Sequence, residues 1–469
     1  MGLTISISDQ INNQYRGYAL YVLQSRGIPN FYDSLTPVQR MILQNAPSKY
    51  DKTIALVGNV IRTGLYHHGD MSLGKAISKL ARPFGCSSQV LEGDGFFGSP
   101  VNPIPSAPRY TSVRISDWAK EVIIEHMDLN IKNSEGGYDW LHVESPIGLF
   151  THVVGIAVGY RSNILPRKKE DVLEYLDGKN KFLKPYFRDF QGKVTRFNNE
   201  EGAWLIESGI EINRKKKTIR MFDLPPLIRY ESFMNRMITK LDKNELSYRI
   251  DNMSKKKCDI RIVLRGMSQE QFDEHAEWIT KLGKIIVKEN VIFIKDGAVM
   301  EFESVKEYLD GFKVHLEFVR LKRLERDLAN YKIELEYLEA KLKFLIFMST
   351  KKRKNTEIVA FLKRFKSWIS ARLGKIQIVR LSSDYIKETK VLITEIKKAI
   401  ISCRKTVTAQ KKVLVIAKKK ISSKNKSISL LPSSYNEQIK EIKGIDIFQE
   451  EEEVIIEEAD IEEDDIFES

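Results

Sequence analysis

The spacing of apolar residues divides most of the chain into stretches of different character. Residues 1–145 mix helical periodicity with Gly and Pro, as in GKAISKLARPFG, where Ile77, Leu80 and Ala81 fall on one helical face. Residues 146–310 carry short β-branched runs such as THVVGIAVGY, CDIRIVLRG and KIIVKENVIFI, which turn and helix signals separate. The pattern predicts a small helical domain with loops, followed by a mixed α/β domain.

The clearest periodicity is a heptad repeat that begins at residue 321. Its members, at alternating spacings of three and four, are Leu321, Leu324, Leu328, Tyr331, Leu335, Leu338, Leu342 and Leu345. This repeat predicts a long helix with a narrow apolar seam for another helix. A second helical face is formed by Leu392, Ile396, Ala399, Cys403 and Val407. We therefore expect residues 311–409 to form an antiparallel coiled-coil stalk with a small helical tip.

The end of the chain is dominated by charge. Residues 410–445, which include a Lys/Ser-rich run, are expected to form a basic linker and the end of the stalk. Residues 446–469 carry 13 acidic residues and no Lys or Arg, and we expect a disordered acidic tail. The rest of the chain then has 76 Lys and Arg against 50 Asp and Glu. This excess predicts a nucleic-acid partner, and a merely solvated lysine-rich surface is the alternative.

Composition excludes several classes of protein. Cys86, Cys258 and Cys403 lie far apart and lack neighbours at metal-ligand spacing, which indicates neither a disulfide framework nor a zinc site. No apolar run approaches the roughly 20 residues that span a bilayer, and the N-terminus lacks a signal-peptide pattern. We expect a multidomain cytoplasmic protein that does not associate with membranes.

Five short motifs before residue 170 carry the candidate chemistry. They are SRGIPNFYDSLTPVQR (25–40), YHHGD (66–70), EGDGFFGS (92–99), SAPRYTSVR (106–114) and GIAVGYRSNILP (155–166). Taken singly, YHHGD is a histidine-lined turn, EGDGFFGS a glycine-rich loop and SAPRYTSVR a basic segment. Each of these is too common to indicate a function alone.

In order and spacing the five motifs resemble the breakage-reunion core of type IIA DNA topoisomerases. SAPRYT is similar to the segment that holds that family's catalytic Arg–Tyr pair, and YHHGDMSL to the segment that leads into its DNA-recognition helix. The resemblance implies an α+β multidomain fold, in which a winged-helix cleavage domain (1–145) precedes a mixed α/β tower domain (146–310). It also implies that the stalk ends in a helical exit gate.

The resemblance implies that Tyr110 attacks the DNA phosphodiester and forms a 5′-phosphotyrosyl bond. A phenolate suits this chemistry because it is both a nucleophile and a good leaving group for religation. Arg109, together with Arg26 from a partner copy, would stabilise the charge that develops on phosphorus. His67 and His68 would hydrogen-bond phosphate oxygens or assist proton transfer, and turn capping or packing is their structural alternative.

Further residues are implied as DNA contacts. They are Arg40, Lys75, Lys79, Arg82, Arg114 and Ile164. The helix after YHHGD would lie in the major groove, although an ordinary amphipathic core helix has the same pattern. Ile164 would insert between base pairs as the family's wedge residue, and a core isoleucine is the alternative.

The sequence lacks a Walker A motif and the acidic cluster that would hold catalytic Mg²⁺. The resemblance therefore implies that a partner subunit with ATPase and TOPRIM domains binds both ATP and Mg²⁺, and we expect no metal site in this chain. The implied complex contains two copies of the chain, binds double-stranded DNA, and relaxes and decatenates it. A non-enzymatic coiled-coil DNA-binding architectural protein is the alternative, but it leaves YHHGD and SAPRYT unexplained.

Overall fold

The computed structural model describes residues 18, 22–23, 27–124, 130, 136–351, 353–376 and 383–422. The helices in this part of the chain are α1 (Pro37–Gln44), α2 (Thr53–Arg62), α3 (Asp70–Ala81), α4 (Asp117–Ile124), α5 (Lys169–Leu176), α6 (Tyr230–Lys243), α7 (Gln269–Leu282), α8 (Val305–Ser349), α9 (Asn355–Leu362), α10 (Ser367–Leu373) and α11 (Ser383–Ser422). The strands are β1 (Asp51–Lys52), β2 (Leu91–Asp94), β3 (Ser112–Ile115), β4 (Val153–Ala157), β5 (Tyr160–Ile164), β6 (Lys193–Arg196), β7 (Ala203–Glu207), β8 (Gly209–Asn213), β9 (Thr218–Phe222), β10 (Ser247–Asn252), β11 (Asp259–Arg265), β12 (Lys284–Lys288), β13 (Val291–Lys295) and β14 (Ala298–Phe302). The predicted acidic tail lies outside the described residues.

Helices α1 to α3 pack against a three-stranded antiparallel sheet with the order β1-β3-β2. The predicted apolar face of α3 is confirmed, because Ile77, Leu80 and Ala81 are all at most 3% exposed. Their side chains join one core with residues of α1, α2 and the sheet. Each of these short helices therefore contributes one apolar face to a core that it shares with the sheet.

The region of β-branched runs is a mixed α/β structure, as the sequence predicts. Its largest sheet has the order β10-β11-β9-β8, and every pair in it is antiparallel. In β11 the side chains of Ile260, Ile262 and Leu264 are buried, and the residues between them are more exposed. This period of two lets one sheet face pack against Phe233 of α6 and Phe272 of α7. The sheet therefore has one buried and one open face.

The beginning of α8 is joined to the first motif by a buried aromatic cluster. The Tyr308 hydroxyl donates to the Phe31 carbonyl at 2.8 Å and lies 2.9 Å from the Ser34 hydroxyl oxygen. His315 is fully buried against Tyr32, and neither of its ring nitrogens has a hydrogen-bond partner. Burial holds the pKa of His315 well below its ordinary value. The base of α8 is therefore firmly attached to the segment that precedes α1.

Helices α8 and α11 run antiparallel and contact each other along much of their length. The Cys403 thiol lies 3.5 Å from the Leu324 carbonyl oxygen, and Gln410 donates to the Glu317 carbonyl at 3.2 Å. Among the predicted α8 seam residues, Leu321, Leu338 and Leu345 are buried, whereas Tyr331 is 39% exposed. Burial of the apolar seam of α8 is therefore interrupted near its middle.

The predicted apolar face of α11 is wrong at its beginning. Leu392 is 43% exposed, whereas Ile393 and Ile400 are at most 8% exposed. Ile393 begins a repeat with steps of three or four residues that continues through Ile396, Ile400, Cys403 and Val407. Leu392 falls outside that repeat. The predicted linker from residue 410 is also partly helical, because α11 continues to Ser422 with Leu414 buried in the same repeat.

Candidate functional site

Tyr110 lies in a 3₁₀ turn, Pro108–Tyr110, directly before strand β3. The backbone closes this turn, since the Tyr110 amide donates to the Ala107 carbonyl at 2.9 Å. The Tyr110 side chain is 66% exposed, whereas the next residue, Thr111, is 1% exposed. The phenol therefore faces solvent from a backbone whose next residue is fixed in the core.

Thr111 anchors the tyrosine turn to the beginning of α2. Its carbonyl accepts a hydrogen bond from the Thr53 amide at 3.0 Å, and the two threonine hydroxyl oxygens lie 2.8 Å apart in the interior. Each buried hydroxyl thus has a partner, and the pair holds the backbone on both sides. The Tyr110 phenol stands on a rigid base, which a positioned nucleophile requires.

The glycine-rich loop passes close to the tyrosine turn. Gly95 has a φ angle of +105°, and a Cβ there would lie 3.2 Å from Thr111 Cγ2 and 3.4 Å from the Tyr110 carbonyl oxygen. Gly98 has a φ angle of +90°, and a Cβ there would lie 2.9 Å from the Pro103 carbonyl oxygen. Any other residue would have an unfavourable φ angle here, and its Cβ would come too close to these atoms. The loop therefore requires glycine at these two positions.

Arg109 stands beside Tyr110 at the surface. Its guanidinium carbon lies 4.8 Å from the centroid of the Tyr110 ring. A cation at this position is attracted by the negative face of the ring. The structure thus brings Arg109 and Tyr110 together, whereas Arg26 lies outside the described residues.

Helix α3 lies next to the tyrosine turn because a glycine stands where the two meet. A Cβ on Gly74 would lie only 3.2 Å from Pro108 Cγ. On another face of α3, the side chains of Met71, Lys75 and Lys79 are exposed at successive intervals of four residues. Residues at this spacing form a ridge along one helix face, so α3 exposes two lysines on a face other than the one that meets the tyrosine turn.

The cations at the end of α3 influence one another. Packing of neighbouring groups around Lys79, and then the charge of Arg82, lowers the pKa of Lys79 to about 8. The guanidinium carbon of Arg82 lies 4.9 Å from the centroid of the Phe84 ring. An anion bound between Lys79 and Arg82 would relieve their repulsion, so this end of α3 is an electrostatically favourable place for a phosphate.

The histidine pair lies in the turn before α3, and both side chains are exposed. The ring of His68 packs edge-on against Tyr66 at a centroid distance of 5.4 Å. Tyr66 is buried and donates to the Gly69 carbonyl at 3.3 Å, and burial, followed by the charge of Asp70, raises its pKa. His68 therefore makes the kind of packing contact that a purely structural role predicts. The ring of His67 is exposed in the same turn.

Arg40 is predicted from the sequence to contact DNA, and this prediction is wrong for the structure observed. Arg40 is 3% exposed and donates to the two carboxylate oxygens of Asp33 at 2.7 and 3.1 Å. Asp33 is fully buried and also accepts from the Leu141 amide at 2.9 Å. Arg40 therefore holds the first motif together, because loss of either partner leaves an uncompensated buried charge.

Arg114 also has protein partners. Its guanidinium lies 2.6 Å from a carboxylate oxygen of Glu92 and 2.9 Å from one of Asp117. Hydrogen bonds to Asp117, Tyr50 and Glu92 raise the pKa of Arg114. Arg114 therefore connects β3 with β2 and α4, and it reaches a DNA phosphate only by exchanging one of these partners.

The predicted wedge residue Ile164 is fully buried, so that prediction is also wrong for this structure. Ile164 pairs with Val153 across the β4–β5 hairpin, and both side chains are in the core. The exposed apolar residue of the hairpin is Ile156, which is 69% exposed and pairs with Arg161. The sequence signal for Ile156 is the alternation of side chains along a β-strand. Ile156 lies on the opposite strand face from the buried Val153, and it pairs with Arg161.

Within the described ranges, no group of three or more His, Cys, Asp or Glu side chains could hold a metal ion. Mg²⁺ prefers several oxygen ligands, whereas the side chain that lies against the Tyr110 ring is the cation Arg109. The residues present do not fit a Mg²⁺ site. In the same part of the chain, no helix combines the length and apolar composition that crossing a membrane requires.

Comparison with known proteins gives matches along most of the chain. Residues 26–422 match the family described as the A subunit of DNA gyrase/topoisomerase IV. The DNA topoisomerase medium subunit of Enterobacteria phage T4 is 25% identical over 416 residues, which cover 82% of this chain and 92% of that protein. The DNA gyrase A subunit of Buchnera aphidicola subsp. Baizongia pistaciae is 33% identical over 260 residues, which cover 48% of this chain.

The gyrase relatives are much longer than the part that this chain matches. The alignment covers 30% of the Buchnera gyrase protein and 22% of that from Kosmotoga olearia, which is 34% identical over 186 residues. Among solved structures, the DNA-binding, cleavage and re-ligation domain of Plasmodium falciparum topoisomerase II superposes with a TM-score of 0.72 at 17% identity. That match covers 90% of this chain and 66% of the other, and it shows a shared fold.

Proposed function

Because the chain belongs to the family of DNA gyrase and topoisomerase IV A subunits, we propose that it is the DNA-cleaving and rejoining subunit of a type IIA DNA topoisomerase. The observation that carries this proposal is the exposed Tyr110 phenol, which stands beside Arg109 on a turn anchored in the core. The phage T4 protein, whose name is DNA topoisomerase medium subunit, supports the assignment because it aligns over 92% of its length.

In the proposed reaction the Tyr110 oxygen attacks a backbone phosphorus and forms an ester bond to the 5′ side of the break. The bond to the 3′ oxygen breaks, and that oxygen leaves with the electron pair and takes up a proton. One ester replaces another, so the 3′ hydroxyl can attack the phosphotyrosyl bond and expel the phenolate. Arg109 offsets the charge added to the phosphorus, and Arg26 is proposed to join it from a second copy.

The proton of the Tyr110 phenol needs an acceptor while the new bond forms. We assign His67 and His68 to this surface, where an imidazole could accept the proton or donate to a phosphate oxygen. Both side chains are exposed in the turn before α3, and Gly74 keeps α3 close to Pro108. These contacts support a role for the histidines at the tyrosine turn.

DNA is proposed to lie across α3, with this helix in the major groove and the β2–β3 loop region as the wing of a winged-helix domain. Lys75, Lys79 and Arg82 would contact phosphates or base edges. Ile156 replaces Ile164 as the proposed wedge between base pairs, because only an exposed apolar side chain can enter a stack.

The proposed complex contains two copies of this chain and a partner subunit that binds ATP and Mg²⁺ through its ATPase and TOPRIM domains. Residues 1–145 would form the cleavage domain, 146–310 the tower and 311–409 the stalk and exit gate. Helices α8 and α11 support the stalk assignment because they pack antiparallel. Strand passage through both gates would relax and decatenate DNA.

Covalent trapping tests the proposed function. The reconstituted complex of this chain with its partner subunits is incubated with Mg²⁺ and plasmid, and denaturant is added during cleavage. We expect this chain to be attached to the 5′ ends of linear DNA. Tyr110→Phe removes only the hydroxyl, so the adduct and DNA relaxation should be lost while DNA affinity stays within about twofold.

Tyr331→Phe is the matched control, because Tyr331 is also exposed and lies on α8, away from the tyrosine turn. This variant should form the adduct at the wild-type level. An adduct that persists in Tyr110→Phe would show that another residue is the nucleophile. If the wild-type complex binds DNA and never forms an adduct, the architectural DNA-binding alternative is correct.

A further inference from the structure

The last turns of helix α11 expose apolar side chains outside the face that packs on α8. Leu414 is 6% exposed and continues the buried repeat of this helix. In the same run, VLVIA, the side chains of Val413, Val415 and Ile416 are 43%, 51% and 53% exposed. At 3.6 residues per turn, Ile416 lies roughly 160° around the helix from Leu414. We refer to these three exposed side chains as the α11 apolar patch.

The sequence around the α11 apolar patch is strongly basic. Residues 404–420 contain seven Lys and Arg and no Asp or Glu. Two carboxylates of α8 face this stretch, since Glu325 lies 3.8 Å from Lys411, and Glu317 accepts from Gln410. These two acids leave an excess of positive charge. A ligand that suits this surface therefore combines negative charge with apolar groups.

An acidic peptide meets both requirements better than DNA does. The backbone of a duplex offers phosphates and sugars, which match the lysines but give valine and isoleucine side chains little apolar surface to contact. Exposed apolar side chains that lie close together are instead typical of a surface that binds a protein segment. A helix that is apolar all round is ordinarily buried, so the end of α11 has the composition of a covered element.

The chain itself contains a segment of complementary composition. The acidic tail, residues 446–469, carries 13 acidic residues and no Lys or Arg. It is not uniformly polar, because the apolar run Val454–Ile456 lies between acidic residues, and Ile466 and Phe467 follow another acidic run. Alternation of acidic and apolar residues is typical of segments that bind partner surfaces. The acidic tail thus matches the α11 apolar patch in both charge and apolar character.

The connection between them is long enough for the acidic tail to reach the patch. Residues 423–445 link the end of α11 at Ser422 to the tail. At roughly 3.3 Å per residue, this connection can span up to about 76 Å. Ile416 lies roughly 9 Å along the helix from Ser422. A segment tethered by a short linker has an effective concentration in the millimolar range, so weak contacts are enough to hold it.

We propose that the acidic tail docks on the α11 apolar patch of the same chain. Apolar side chains of the tail cover Val413, Val415 and Ile416, and its carboxylates offset the surrounding cations. The docked tail closes this end of α11 to other polyanions, including DNA. The inference is independent of the proposed function, because the contact requires neither DNA nor cleavage.

Photo-cross-linking in the full chain tests this contact. A benzophenone amino acid replaces Val413, and mass spectrometry identifies the residues that it reaches after irradiation. The matched control carries the same label in place of Val391, which is 56% exposed. Val391 lies within roughly 40° of the same side of α11 but about 33 Å along the helix. We expect the label at position 413 to react with residues 446–469, and the control to give at most about a tenth of that yield.

Variants of the tail separate the apolar from the electrostatic contribution. Ile455→Ser combined with Ile456→Ser keeps every charge, so it should lower the cross-link yield at least about tenfold. Ile442→Ser, which precedes the tail, should leave the yield unchanged. Raising the salt from about 0.1 M to 1 M should also lower it, because the Debye length falls from about 10 Å to 3 Å. A yield that the double substitution does not change would show that charge alone attracts the tail, and the docking site would be wrong.

Other occupants of the α11 apolar patch would give different products. A cross-link to a second copy doubles the mass of the product, one to the partner subunit of the complete complex carries its peptides, and one to an added duplex carries nucleotides. Any of these in place of the tail product would overturn the proposal, as would an intact label that forms no cross-link. A missing Tyr110 adduct in the trapping experiment would refute the proposed function and leave this contact unaffected.

Discussion

Ile156 and Ile164 show that the surroundings of a residue decide whether its side chain is buried or exposed. They lie in one hairpin and have the same side chain, yet Ile156 is 69% exposed and Ile164 is fully buried. Sequence motifs located Tyr110 and Arg109, because a pair of adjacent residues needs only its local turn to come together. They could not locate the buried Asp33–Arg40 pair, because long-range packing decides whether a charged side chain lies inside.

The two isoleucines should therefore respond to substitution in opposite ways. Ile156→Ala removes exposed apolar surface, so it should leave the free energy of unfolding within about 0.5 kcal/mol. DNA bending and cleavage should fall roughly tenfold, because the wedge is lost. Ile164→Ala should lower the free energy of unfolding by about 2 to 5 kcal/mol. Chemical denaturation and a DNA-bending assay by energy transfer measure both effects.

A destabilised Ile156→Ala with normal DNA bending would reverse this assignment. Ile164→Val provides a milder control, since it removes one methylene from the same buried position and should cost about 1 kcal/mol.

At the scale of the element, the sequence predicted both long helices but assigned the face of α11 incorrectly at its beginning. A heptad repeat can be recognised from the spacing of apolar residues alone, so the sequence predicts that α8 is long. Leu392 and Ile393 are adjacent and equally apolar, and only the position of α8 decides which of them is buried. The helix also extends past Gln410, because Leu414 continues the apolar repeat through a run of lysines.

Buried imidazoles make folding depend on pH. Burial lowers the pKa of His152 to about 4 and that of His315 well below 6.5, so both are neutral in the folded protein. The unfolded chain takes up these protons below about pH 6.5. Stability should therefore be unaffected by these groups above pH 6.5 and should fall below it, by roughly 1 kcal/mol for each histidine at pH 5.5.

Thermal or denaturant unfolding at pH 7.5 and 5.5 measures this loss. His315→Leu keeps an apolar side chain on α8 and removes the titrating group, so the drop between the two pH values should become smaller by about 1 kcal/mol. An unchanged drop in this variant would mean that other groups cause the acid sensitivity.

At the scale of the whole molecule, the end of the stalk is a small packed unit. Residues of α9 and α10 join the last turns of α8 and the first turns of α11 in one apolar cluster. The Phe361 ring of this cluster stacks on Phe347 at a centroid distance of 4.1 Å. Its surface keeps apolar side chains, since Val359 is 52% exposed and Trp368 is 38% exposed. Exposed apolar side chains that lie close together often mark a surface for another protein chain. The sequence alone does not identify that chain.

In the proposed two-copy assembly these side chains would form a contact between the two tips. Val359→Glu combined with Trp368→Glu should lower the mass that light scattering reports for the complex, or raise the concentration at which two copies associate by at least tenfold. Ile212→Glu, at an exposed isoleucine of β8, should leave association unchanged. One copy of this chain per active wild-type complex would contradict the assembly.

Helix α8 continues without a break for 45 residues, so it is roughly 68 Å long. Its first turns are fixed to the segment before α1 through Tyr308, and its last turns carry the tip. A rod of this length has the geometry of a lever arm whose fulcrum is the segment before α1. A tilt of about 5° at the fulcrum moves the far end by roughly 6 Å. A small change of angle at the base of α8 is thus amplified geometrically at the far end of the helix.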